Sequence, residues 1–230
     1  MHWADAAALI VFLLCWVGYE PLRLWLTARL GGSCINQDMY PVREAWLREF
    51  LRRENRIMDV NLLGHLLNSA SFFASTNLLL IAAAAGVLFG GEAMQQSLQQ
   101  LEIAAPASSW LMEGKIALVT ITLSRGLLDF IWAIRQLNYS LAVLGAAPPH
   151  DAPEKHEAFV RAAADVLHPS FSAFNRGVRA YYFALAAAAW LIHPLAMAAG
   201  VVFAVYVLLR RQLRSQAARG IHAARRLHED

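Results

Sequence analysis

Arg125 and Asp129 stand four positions apart inside residues 116–134, a stretch made otherwise mostly of apolar and small side chains. Helical i,i+4 spacing puts both on one face, and Thr122, Trp132 and Gln136 continue that stripe at spacings of three and four. An ionised side chain in hydrocarbon is costly, so such a pair has two uses. It lines a pathway as a selectivity or gating pair, or it neutralises itself along the helix and only fixes packing. A second stripe runs through Asn61, His65, Asn68, Phe72 and Ser75, with Ser69, Ser71, Thr76 and Asn77 beside it. Small polar side chains let helices approach and hydrogen-bond across the gap; coordination of a solute is the competing use. His65 has no partner at metal-ligand spacing, so it reads as a hydrogen-bonded structural group rather than a ligand.

Glu20, next to Pro21 and Arg23, is expected at the inner end of the first helix, where it can meet Arg125, Arg135 or Arg179 from neighbours. Arg135, Asn138 and Tyr139 are expected to end one helix, and Asn175, Arg176 and Arg179 to start the next at the same depth, the two motifs facing each other across a short loop. The alternative is interface anchoring, with arginines snorkelling to headgroups beside Tyr181 and Tyr182. The candidate pathway or buried polar cluster is thus Glu20, Arg125, Asp129, Gln136, His65, Asn68 and Ser75, with Arg135, Asn138, Tyr139, Asn175, Arg176 and Arg179 as a cytoplasmic-side motif.

Catalytic signatures do not appear: the chain has no GxSxG, P-loop, HExxH or glycine-rich dinucleotide turn. His150, His156 and His168 lie near Asp151, Glu154, Glu157 and Asp165, a density of charge that reads as a solvated helix surface. Cys15 and Cys34 form no CxxC pair and no zinc spacing. No catalytic residue, cofactor or metal is expected. An intramembrane enzyme using His65 or His193 with Glu20 lacks an acid/base pair at defined spacing.

The elements that must carry these residues are apolar helices. Of 230 residues 58% are hydrophobic and 16% charged, and the mean hydropathy of +0.40 is too high for an ordinary soluble domain. Apolar blocks recur at residues 6–17, 72–89, 116–134 and 181–209, the last broken only by His193-Pro194. A bilayer core about 30 Å thick needs roughly 20 such residues per crossing. The first block lacks a basic lead and a small-residue cleavage site, so it is expected to be retained. The pI of about 9.1 comes from bases beside apolar blocks, which orient helices or meet anionic headgroups; nucleic acid is not an expected partner.

Seven arginines lie between positions 23 and 56, whereas residues 90–111 carry no Lys or Arg and two glutamates, Glu92 and Glu102. The first segment is expected to face the cytoplasm and the second the exterior. Residues 171–209 as one helix would run about 58 Å, almost twice the hydrocarbon thickness. Splitting at His193-Pro194 gives two crossings and returns Arg210, Arg211, Arg214, Arg219, Arg225 and Arg226 to the inside. The expected fold is all-α, a polytopic transmembrane bundle of five spans, N-terminus outside and C-terminus cytoplasmic, in a bacterial inner membrane. Four spans with a long kinked last helix is the alternative.

Residues 1–230 read as one transmembrane domain. Within it, residues 41–61 are expected to form a cytoplasmic amphipathic helix leading into helix 2. Residues 148–170 read as a cytoplasmic loop with a short helix closed before Pro169, residues 95–103 as an interfacial helix, and residues 211–230 as a basic tail.

Arg53-Glu54-Asn55-Arg56 with Asp59, then Ser71-Phe72-Phe73-Ala74-Ser75-Thr76, Arg135-Gln136-Leu137-Asn138-Tyr139 and Phe174-Asn175-Arg176-Gly177 with Arg179-Ala180-Tyr181-Tyr182 form an ordered set. This combination, over roughly residues 6–214, resembles the membrane-protein family catalogued as domain of unknown function 599. The resemblance implies an integral membrane protein with recurring polar helix segments, and no settled activity, substrate or cofactor.

Two functions compete. A channel or facilitator for a small ion or solute, with a pathway at helices 2 and 3 or at a homo-oligomer axis, rests on Arg125, Asp129 and the Ser/Thr/Asn face. A scaffold or accessory subunit, docking an unidentified protein partner or anionic lipid through basic cytoplasmic helices, rests on arginine density. The lipid bilayer is the common surrounding of both.

Overall fold

The computed structural model describes residues 3–29, 34–90 and 109–227, and among them the regular elements are all helical. In chain order they are α1 (Trp3–Arg29), α2 (Ile35–Arg52), α3 (Ile57–Phe89), α4 (Ser109–Gly145), α5 (His156–Ala188), α6 (Pro194–Arg214) and α7 (Gln216–Arg226). Single 3-10 turns at Pro153–Lys155 and Ala189–Leu191 lead into and out of α5. Among the described residues four helical stretches are long and apolar enough to cross a membrane: α1, α3, Trp110–Gly145 in α4, and Pro194–Arg226, which takes in α6 and α7.

By contacts the chain divides into two compact units. The first comprises Met1–Leu26, Ser75–Leu128 and Gly177–Arg210. Its core is apolar side chains from α1, α4, α5 and α6, centred on Phe12, Leu118, Phe183, Trp190, Met197 and Val201. A Cβ on Gly200 would lie 3.6 Å from the Cα of Ala186, so α6 folds back against the end of α5. The reversal falls at His193-Pro194, where the expected break occurs: Pro194 opens α6, and the His193 Nδ1 accepts the Leu195 N–H at 3.1 Å.

The second unit comprises Thr27–Ala74, Asp129–Arg176 and Arg211–Asp230. Leu47, Phe50, Leu63, Leu137, Val160 and Leu167 fill its core. Phe73 stacks on Phe130 at 5.6 Å between centroids, and Phe174 meets both edge-on.

Several boundaries differ from the sequence expectations. α1 continues eight residues past Pro21 to Arg29, and α5 runs through Pro169, so neither proline ends its helix. A proline inside a helix removes one hydrogen bond, and packing along the remaining turns holds the helix together. The Ser170 hydroxyl donates to the Leu167 carbonyl at 2.6 Å at the second of these sites. The amphipathic helix expected over 41–61 starts earlier, at Ile35, and stops at Arg52; residues 53–56 are non-helical and α3 starts afresh at Ile57. The Asn55 side chain accepts the Ile57 N–H at 3.0 Å, a polar cap that makes a new start favourable. The expected helix at 95–103 lies outside the described residues.

Candidate functional site

Within the first unit, Glu20 holds two arginines. Its carboxylate accepts from Arg23 at 2.6 Å and from Arg179 of α5 at 2.9 Å. The Arg179 guanidinium also lies 4.6 Å above the ring of Tyr19, itself buried. Of the three arginines expected as partners of Glu20, the structure brings Arg179. One carboxylate between two guanidiniums is a helix tether with a net positive field.

Deeper in the same unit the backbones close up. A Cβ on Gly126 of α4 would lie 2.8 Å from the Cβ of Ala180 and 3.0 Å from the Nδ2 of Asn77, so only glycine fits. The Asn77 amide donates to the Leu123 carbonyl at 2.9 Å, while its buried Oδ1 finds no partner among the described residues. A third cluster joins Asp5, whose carboxylate takes the Trp190 indole N–H at 2.9 Å, to the buried Lys115, whose ammonium lies 5.8 Å from the Trp190 ring centre.

Within the second unit Asp129 is buried and accepts the Arg176 Nε–H at 2.9 Å. The sequence stripe places Asp129 with Arg125, and the structure gives it Arg176 on a neighbouring helix; Arg125 is exposed. Gln136 is half-buried, with its carbonyl taking the Ser140 hydroxyl. Arg135 donates to the Tyr139 hydroxyl at 2.7 Å and Asn138 is exposed, all within α4 rather than at its end, because α4 extends to Gly145. Asn175, exposed, and Arg176 and Arg179, partly buried, sit mid-way along α5 rather than at its start. The two motifs therefore do not flank a short loop.

His65, Asn68 and Ser75 occupy one face of α3, and all three are exposed, together with Phe72 between them. Among the described residues no group of three His, Cys, Asp or Glu side chains is placed to hold a metal ion.

Sequence reasoning missed three contacts on buried side chains and one surface ion pair in the second unit. Asp59 is fully buried and accepts the Trp46 indole N–H at 2.7 Å and an Arg53 N–H at 2.5 Å. Arg43 lies 4.0 Å above Phe171 and donates to the His168 Nδ1 at 2.6 Å, which requires the neutral ring with its proton on Nε2. Burial lowers the Arg43 pKa to about 10, and burial followed by the Arg43 charge holds His168 below the ordinary histidine value. Asp38, 3% exposed, takes Arg225 of α7 at 2.8 Å with His222 at 3.5 Å. Arg48 bridges to Glu157 at 2.9 Å, and that bond holds the Glu157 carboxyl below its usual range. The Arg53 to Asp59 run was visible as a motif, but its indole partner was not.

A family model described as "Protein of unknown function, DUF599" matches residues 7–217. The chain belongs to this family. No curated protein and no solved structure matches it. Its four long apolar helices fit a multi-pass membrane protein, and the family description carries no activity.

Proposed function

We propose that this family member is a bacterial inner-membrane protein that moves a small ion or polar solute along a path between copies of itself. The observation that carries the reading is the exposed polar row on α3. The most apolar 18-residue window of that helix is 6% buried, against 39% for the window in α4. Yet its uncovered face carries Ser75 within the apolar stretch and Asn68 and His65 about one and two turns before it. Lipid tails offer these groups no hydrogen bond, whereas a second copy of the same face offers donors and acceptors. Exposed Arg125 on α4 adds a charge that a water-lined path would solvate. The back-folding of α6 on α5 favours five crossings, and arginine placement favours an outside N-terminus and an inside C-terminus. Nucleic acid has no place in this reading.

Purified chain in liposomes, assayed for flux across a panel of small cations, anions and neutral solutes, tests it. Flux above protein-free vesicles, reduced by Asn68→Ala, Ser75→Ala and Arg125→Ala, is the expected result. Wild-type vesicles as tight as empty ones across the panel would end the transport reading.

A scaffold reading has its own observation: α2 and α7 are charged helices packed on each other through Asp38. Mild-detergent purification followed by mass spectrometry discriminates, since a scaffold copurifies with a stoichiometric partner.

A further inference from the structure

We propose that α7 is a releasable latch, closed on α2 by Asp38 and opened by an anionic lipid surface that competes for the same cations. The inference does not rest on the transport reading. The closed state is the one observed. Asp38 is a carboxylate on the first turn of α2, 3% exposed, and it accepts from Arg225 at 2.8 Å with His222 at 3.5 Å. Ala218 is buried and Ser215 caps α7 by accepting the Ala218 N–H at 3.0 Å, so α7 docks as a formed helix. What holds it is mostly charge, because residues 216–226 contain no large apolar side chain except Ile221.

The flank of α7 beside that contact points to the competitor. Arg219 and Arg226 are exposed, Arg214 just before the helix is exposed as well, and no acidic residue occurs from Gln216 to Arg226. This basic segment follows directly on the apolar residues of α6, which puts it beside the headgroups of any membrane that α6 crosses. Juxtamembrane arginine clusters are attracted to anionic leaflets, and the attraction falls with salt. Arg214, Arg219 and Arg226 meet such a surface without disturbing Asp38. His222, half-exposed and three residues after Arg219, already lies on this flank, whereas Arg225 joins it only when the Asp38 contact opens, so lipid charge and the buried carboxylate draw on the same helix in opposite directions.

Hydrogen exchange of the full chain in nanodiscs of phosphatidylcholine or phosphatidylglycerol reads both halves of the proposal. In phosphatidylcholine, Asp38→Asn is expected to raise exchange across residues 216–226 about tenfold, the opening of a local unit, while α4 is unchanged. In phosphatidylglycerol the wild type is expected to lose protection at residues 35–40, uncovered on α2, while α7 stays protected on lipid. Arg219→Gln with Arg226→Gln should keep the closed state in phosphatidylcholine and abolish that response to phosphatidylglycerol. If Asp38→Asn also loosens α4, Arg225→Gln on the tail decides in its place. Unchanged α7 exchange in the deciding variant overturns the latch; a wild type indifferent to lipid charge, or a double variant that responds as the wild type does, overturns the lipid surface.

Discussion

The Nε of Arg176 meets the Oδ1 of Asp129 at 2.9 Å, joining α5 to α4 across 47 positions of sequence. The carboxylate end is buried, with 9% of the side chain exposed, and the guanidinium end is 38% exposed. A lone carboxylate at that depth is costly, so the pair's value lies in what its loss would leave behind. Asp129→Ala or Arg176→Ala should lower stability by about 1–3 kcal/mol, less than the loss for a fully buried pair because the arginine retains solvent. The double variant should lose no more than the Arg176→Ala single. Melting of all four proteins in one detergent checks it, and additive losses would show that the two groups act separately.

At Gly126 the test is steric. Gly126→Ala is expected to cost about 1–3 kcal/mol by overpacking, since its Cβ would fall 2.8 Å from that of Ala180. Ala180→Gly in the same chain should restore part of the loss, and a Gly126→Ala protein that melts at the wild-type temperature would refute the close approach.

The Arg43–His168 contact gives a pH dependence. His168 accepts from Arg43 only as a neutral ring, and its folded pKa lies below the unfolded value near 6.5. Unfolded chain then binds more protons than folded chain between the two values. Stability from this site is complete above about pH 6.5 and falls as pH drops toward the folded pKa. Tyr40, Asp165, Glu44 and Arg161 share the neighbourhood of the site. His168→Gln, which keeps an acceptor but does not titrate, should flatten the melting temperature between pH 7.5 and pH 5.5 relative to wild type; parallel curves would exclude His168 as the source.

Trp46→Phe removes the indole donor from Asp59 while keeping a ring. A lost hydrogen bond to a buried carboxylate costs about 1–3 kcal/mol. Among the described residues one Asp59 oxygen already has no partner, so the upper part of that range is expected. Limited proteolysis at residues 53–56, the non-helical joint between α2 and α3, should quicken in step with the melting loss.

Hydrophobic blocks made the long helices legible, and the reversal at His193-Pro194 followed from length and from the arginines beyond it, because hydrocarbon thickness sets a ruler and basic residues favour the inner side. Prolines misled: Pro21 and Pro169 read locally as stops, yet each forfeits a single backbone bond that tertiary packing outweighs. Periodicity put Asp129 on a stripe with Arg125, but it sees only neighbours within one helix, so Arg176 could not be singled out. The same limit hid Trp46 from Asp59 and Arg225 from Asp38. Spacing puts His65, Asn68 and Ser75 on one face, but it does not tell inward from outward in a membrane, where both sides of a helix meet apolar matter.

Pro21 lies immediately beside Glu20, the residue that grips Arg23 and Arg179. The missing amide concentrates the compliance of α1 at one turn, while the rest of the rod stays stiff. Flexing of that rod is therefore focused at the height where an ionic tether resists it, and a change in ionic strength would alter the angular freedom of α1 more than the rigidity of any of its other turns.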